Sequence, residues 1–260
     1  MLNFDAIIFD MDGVITKTAV VHSLAWKRMF DEYLHYREKE YNEPFREFTH
    51  ADDYLSFVDG RPRYKGVETF LKSRGINLPL GEPADEPGKE TVCGLGNRKN
   101  EVFNKVLEEE GIGVYGSTIK LIKELLERGV KVGVATSSQN CVFILKRAGI
   151  KNLFGTHVDG VVSAKLGLKG KPEPDIFTTA SDNLGVEYHR AIVVEDAVSG
   201  VQAGAKGHFG LVIGVAREKN AHELKSHGAD VVVEDLSEIS VDDINKLIYS
   251  KRVGRQPLKA

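Results

Sequence analysis

Four carboxylates stand where apolar runs end: Asp10 and Asp12 close "AIIFDMDGV", and Glu195 and Asp196 close "AIVVEDAVSG". In an extended chain residues i and i+2 point the same way, so Asp10 and Asp12 share one small region and repel each other. Alone, such a pair reads as solvated turn residues. Other run ends change that reading. "VGVATSSQN" finishes with Thr136, Ser137 and Ser138, whose hydroxyls and free backbone N–H groups at a strand-to-helix junction form either an anion site or an ordinary helix cap. In "GLKGKPEPDIF" Lys171 stands just before Pro172 and Pro174, which fix the local backbone. Its ammonium can act there as an oriented point charge, although a lone loop lysine is usually just solvated.

Carboxylates gathered at one edge need a cation. Magnesium fits best, because it takes oxygen ligands, keeps several waters and needs few protein carboxylates beside a substrate phosphate. No histidines or thiolates stand at metal spacing, which argues against zinc. A magnesium ion, a hydroxyl-rich anion site and a lysine around one aspartate suit phosphoryl transfer, in which charge on the transferring oxygens is neutralised while a nucleophile is held in line. An aspartate can be that nucleophile, forming an acyl phosphate. The two environments must then differ, with Asp10 kept ionised by the metal and Asp12, off the metal through its side chain, able to take a proton.

The elements that would position these groups follow a βα rhythm. Ala6 to Phe9 has the length and composition of a strand buried on both faces. From residue 117 onward amphipathic segments alternate with short β-branched runs. "STIKLIKELLERG" places Ile119, Ile122, Leu125 and Leu126 at helical spacing before the strand Val130 to Ala135; "QNCVFILKRAGI" is a helix, "VDGVVSA" a strand, "PDIFTTASDNLGV" a helix, and "AIVVED", "LVIGVA" and "DVVVED" are strands. Such units predict an α/β, doubly wound parallel sheet. Residues 20 to about 108 lack β-branched runs and predict helices, the first with Val20, Leu24, Met29 or Phe30, and Leu34 on one face. More helices are expected in "GVETFLKSRG" and "GNRKNEVFNKVLEEEG", with a proline-rich loop at 79–90 between them. The expected division is a core of 1–17 with 109–260 and a helical insertion of 18–108, above the sheet edge where ligands bind in open α/β folds.

Composition excludes other classes. With 260 residues, 42% hydrophobic and 28% charged, and a formal charge of -3, the chain reads as an ordinary globular protein with no nucleic-acid or membrane partner expected. Cys93 and Cys141 make neither a disulfide framework nor a metal motif, so a reducing compartment fits. No signal peptide or spanning run is read, and a cytoplasmic monomer is expected.

"FDMDGV", the Thr136 strand end, Lys171 in "GKPEPDIF" and "VVEDAVSGVQAG" resemble, in order, the four motifs of the haloacid dehalogenase-like hydrolase superfamily. The resemblance implies a Rossmann-like core, Asp10 as nucleophile and Asp12 as general acid and base. It also implies Thr136 and Lys171 on phosphate, and magnesium bound by Asp10, the backbone carbonyl of Asp12, and Asp196 with Glu195. The insertion resembles the helical cap of the subgroup containing β-phosphoglucomutases. Thr18, His22 and Trp26 match its hinge and cap positions, and Lys99 and Asn100 a cap segment whose lysine pairs with the hinge histidine. Gly60 and Arg63 match the loop that grips a distal phosphate, and Ser138 and Asn140 match core contacts to the same ligand. Asp59 stands where that loop usually carries lysine. The resemblance implies interconversion of β-glucose 1-phosphate and glucose 6-phosphate through a bisphosphorylated sugar. A phosphatase of a sugar phosphate or a similar small ester is the alternative, and a phosphoacceptor signalling module a more distant one.

Overall fold

The computed structural model describes residues 2–254. The chain divides into two compact units, Met1–Lys17 with Gly113–Ala260, and Thr18–Ile112. Strand β1 (Ala6–Phe9) opens the larger unit. The smaller unit holds helices α1 (Thr18–Tyr41), α2 (Arg63–Ser73) and α3 (Val92–Glu110), with a π-helical segment over His50–Val58. The larger unit resumes with α4 (Gly116–Glu127), β2 (Lys131–Ala135), α5 (Cys141–Arg147), β3 (Thr156–Val158), α6 (Gly160–Leu166), α7 (Asp175–Leu184), β4 (Ala191–Glu195), α8 (Val198–Lys206), β5 (Leu211–Val215), α9 (Ala221–Ser226), β6 (Val231–Val233) and α10 (Val241–Gly254).

The strands form one parallel six-stranded sheet in the order β3-β2-β1-β4-β5-β6. Ala6 and Ile8 pack with Ile176 and Phe177 of α7. Ile7 and Phe9 point to the opposite face and are equally buried, so helices must cover both sides. This is the expected Rossmann-like α/β core. Strand order reverses between β1 and β4, and the crevice beyond the carboxyl ends at such a reversal is where ligands bind in open α/β sheets. Asp10 and Glu195 stand on those two strands' ends.

The smaller unit packs around aromatic rings. Phe30 lies 4.1 Å from Phe70 and 5.1 Å from Phe48, centroid to centroid, and Tyr54, Val58 and Leu95 join the same core. No helix among the described residues is long and apolar enough to cross a membrane.

Three local expectations change. "VDGVVSA" is not one strand: β3 stops at Val158, and Val161 and Val162 belong to α6, because the Asp159 carboxylate accepts from both their N–H groups and caps a helix there. On α1 the buried face runs through Val21, Ala25, Met29 and Phe30 with the rings of Trp26 and Tyr33, while Val20 is 68% exposed. On α4, Leu121 takes the inner position and Leu126 is exposed.

Candidate active site

Two carboxylates and an ammonium are buried together where the strand order reverses. Asp10, the first residue beyond β1, and Glu195, the last of β4, are 5% and 1% exposed, and Lys171 is 4% exposed. Lys171 Nζ donates to Asp10 Oδ1 at 2.5 Å and to Glu195 Oε1. The other Glu195 oxygen accepts from the Ala197 N–H at 2.7 Å. Gly200 of α8 makes room for this side chain, since a Cβ there would overlap the Glu195 carboxylate.

One ammonium cannot balance two buried carboxylates. Burial pushes the Asp10 carboxyl well above the usual range, the Glu195 and Asp12 charges push the same way, and the Lys171 ammonium pulls against them. Burial also works against the Lys171 charge, but Asp10 and Glu195 outweigh it and hold the proton on.

Asp12 is half-buried in the turn after β1, and the Thr136 hydroxyl donates to its Oδ2 at 3.4 Å. Thr136 Oγ1 accepts from the Ser138 N–H at 3.1 Å, and Ser138 Oγ from the Asn140 N–H at 3.2 Å. These hydroxyls therefore brace their own loop as well as facing Asp12. Ser137 is half-buried between them. Asp196 lies against Gly13, whose φ is +81°; a Cβ at Gly13 would overlap the Asp196 carboxylate, so glycine is required on both counts.

Within the smaller unit the expected residues form two neighbouring groups. Lys99 Nζ lies 2.5 Å from His22 Nδ1, with the Lys99 ammonium 4.9 Å from the Trp26 ring and 4.7 Å from that of Phe103. His22 stacks on Phe103 at 4.1 Å. Thr18, at the start of α1, is buried. One residue along α3, Asn100 Oδ1 accepts from Arg63 Nη2 at 2.7 Å. Gly96 lets α2 approach α3, because a Cβ there would press on the Tyr64 ring and the Arg63 stem. Gly60, with φ +68°, makes the turn that leads into α2. Arg63 makes no ion pair among the described residues, and burial pulls its pKa down.

The donors at the sheet edge suit a hard cation in type and charge: they are carboxylate oxygens, and their negative charge exceeds that of Lys171. Among the described residues no three His, Cys, Asp or Glu side chains converge closely enough to hold a metal ion by themselves. The fit therefore rests on donor chemistry, with Lys171 drawing Asp10 and Glu195 toward itself.

Sequence reasoning passed over three residues beside the site. Asp159, buried at the end of β3, caps α6. Arg217 and Asn220 follow β5, and they reach Gly13 and Asp196 respectively. Their signal was available, since "GVAREKN" is one more strand that runs out into polar residues.

The model of the haloacid dehalogenase-like hydrolase family matches residues 4–208. A β-phosphoglucomutase of Mycobacterium bovis is 44% identical over 237 residues, covering 90% of each chain. One from Bacillus subtilis is 30% identical over 245 residues, 91% of this chain and 92% of that one. In structure, β-phosphoglucomutase from Clostridium difficile superposes with a TM-score of 0.75 at 21% identity, over 96% of this chain and 99% of that one. The ordered strand ends, the buried lysine between two carboxylates and these likenesses agree: the chain is an enzyme that belongs to the haloacid dehalogenase-like hydrolase family, in the branch containing the β-phosphoglucomutases.

Proposed function

We propose that this enzyme moves a phosphoryl group between positions of a small sugar phosphate through a phosphorylated Asp10, interconverting β-glucose 1-phosphate and glucose 6-phosphate by way of the bisphosphate. The observation that carries the mutase reading is Arg63, a half-buried guanidinium held by Asn100 without a carboxylate partner among the described residues. A partly desolvated guanidinium with free donors suits an anion from outside the protein. A sugar with one phosphate under transfer and a second at rest supplies it.

Lys171 on Oδ1 fixes the Asp10 carboxylate and leaves Oδ2 as the attacking oxygen. Oδ2 bonds to phosphorus while the ester bond to the sugar breaks, and Asp12 gives its proton to the leaving sugar oxygen. In return, a sugar hydroxyl passes its proton to Asp12 and takes the phosphoryl group from Asp10. Thr136 orients Asp12 in the free enzyme and, with its hydroxyl turned to substrate instead, joins Lys171 in offering donors to the transferring oxygens. Asp10, Asp196 with Glu195 and the Asp12 carbonyl would hold magnesium, which when bound would supply positive charge that favours ionised carboxylates and neutralises the transferring oxygens. In this reading Arg63, Gly60 and Asn100 of the smaller unit serve the resting phosphate, and Ser137, Ser138 and Asn140 of the larger unit serve phosphate binding at their own loop. Thr18, His22, Trp26 and Lys99 of the smaller unit are assigned to the choice between a sugar hydroxyl and water as acceptor.

Incubation with magnesium, β-glucose 1-phosphate and a trace of the 1,6-bisphosphate tests this. Glucose 6-phosphate should form without inorganic phosphate. Steady phosphate release with little isomerisation would assign a phosphatase instead, and full activity in Asp10→Asn would refute the nucleophile.

A further inference from the structure

Two side chains in the loop after β5 have no role above, yet both close on the catalytic edge. Arg217 Nε donates to the Gly13 carbonyl at 3.0 Å across 204 positions of sequence. Its Nη1 donates to the Glu234 carbonyl at 2.9 Å and to the Asp235 carboxylate at 3.0 Å, and the guanidinium lies 3.7 Å from the centre of the Tyr115 ring. Asn220 Nδ2 donates to the Asp196 carbonyl at 3.3 Å. A flat guanidinium with donors in fixed directions can hold several backbone segments in one register, which an ammonium cannot.

The peptide that Arg217 grips is the one on which the site turns. Gly13 follows Asp12, donates its N–H to the Thr16 carbonyl at 2.8 Å, and has the Asp196 carboxylate against its Cα. Movement of Gly13 would shift Asp12, its neighbour in the chain, and press on the Asp196 carboxylate that lies against it. Arg217 Nη2 and Asn220 Oδ1 are buried without hydrogen-bond partners among the described residues. Apolar residues serving only as filler would avoid that penalty.

We propose that Arg217 is a positioning residue: by holding the Gly13 carbonyl it sets Asp12 and Asp196 relative to Asp10, while Asn220 fixes the Asp196 peptide from the other side. This rests on the roles of Asp12 and Asp196 given above. The competing role is a plain anchor for the loop after β6, through Glu234 and Asp235.

Amide hydrogen exchange and steady-state kinetics on Arg217→Met, Arg217→Lys and Asp235→Asn separate the two. In Arg217→Met the amides of Gly13, Ile15 and Thr16 should exchange about tenfold or more faster. For the same variant kcat should fall by about tenfold or more with KM held within about twofold. Arg217→Lys should recover part of both, and Asp235→Asn should move neither beyond about twofold while still lowering the thermal midpoint. Unchanged exchange at Gly13 in Arg217→Met, or an equal loss of kcat in Asp235→Asn, would overturn the proposal. Exchange does not depend on turnover. If wild-type protein showed no Asp10-dependent activity, that would count against the function, and faster exchange confined to the Arg217 variants would still uphold the positioning.

Discussion

Replacing Lys171 by methionine removes the ammonium that lies between Asp10 and Glu195. The two carboxylates stay in place, 5% and 1% exposed, with similar volume between them and no compensating charge. Removing one member of a buried ion pair costs about 3–5 kcal/mol, most of it the penalty of the charge left behind. For a chain of this size that corresponds to a fall in thermal midpoint of roughly 6–20 °C. The loss should depend on pH, and its sign is fixed. Asp10 already has a raised folded pKa, so its share of stability falls as pH rises from the unfolded carboxylate range toward the folded value. Loss of the Lys171 attraction raises that folded value further and carries the fall to higher pH, at no more than about 1.4 kcal/mol per pH unit for one proton. Urea unfolding of both proteins in chelator at pH 5 and pH 8 measures this, and the deficit should be larger at pH 8. Lys171→Met combined with Glu195→Gln should recover much of it. A deficit below about 1 kcal/mol, or one equal at both pH values, would refute the argument that two buried carboxylates depend on this ammonium.

Other perturbations test neighbouring parts. Gly13→Ala is expected to lose activity and about 1–3 kcal/mol of stability or more, because it strains a φ of +81° and displaces Asp196; unchanged unfolding would contradict this. Arg63→Met should leave the thermal midpoint nearly unchanged, since the guanidinium is half-buried and makes no ion pair among the described residues, yet raise KM for the sugar bisphosphate about tenfold or more. Hydrolysis of a simple monophosphate by Arg63→Met should be little changed, and equal effects on both substrates would remove the case for a resting phosphate. Arg74→Met leaves Asp53 buried beside the Thr49 N–H, 2.8 Å away, and should cost the smaller unit about 3–5 kcal/mol, read as selective proteolysis of Thr18–Ile112.

The core was legible because its strands are short apolar runs that each end in polar residues, and those ends are where the chemistry sits. Ala6 to Phe9 followed by Asp10 announces both a doubly buried strand and a charge at its exit. In the structure Lys171 reaches both Asp10 and Glu195, a contact that no spacing in the sequence announces. What failed to show depends on distant partners. Val161 and Val162 carry strand-forming side chains, and the Asp159 cap overrides that preference. The π-helical turn over His50–Val58 is set by packing of Phe48, Tyr54 and Val58 on Phe30 and Phe70, which no local pattern displays. Arg217 is an ordinary surface arginine in sequence, and only the fold brings Gly13 to it.

The most direct test of phosphoryl transfer through Asp10 is to phosphorylate the enzyme with glucose 1,6-bisphosphate, locate the phosphoryl group by mass spectrometry of the peptide containing "FDMDGV", and then add β-glucose 1-phosphate. The group should be found on Asp10 and should pass to the sugar faster than to water. A phosphoryl group on any other residue, or one that water removes as fast with the sugar as without it, would contradict the mutase mechanism.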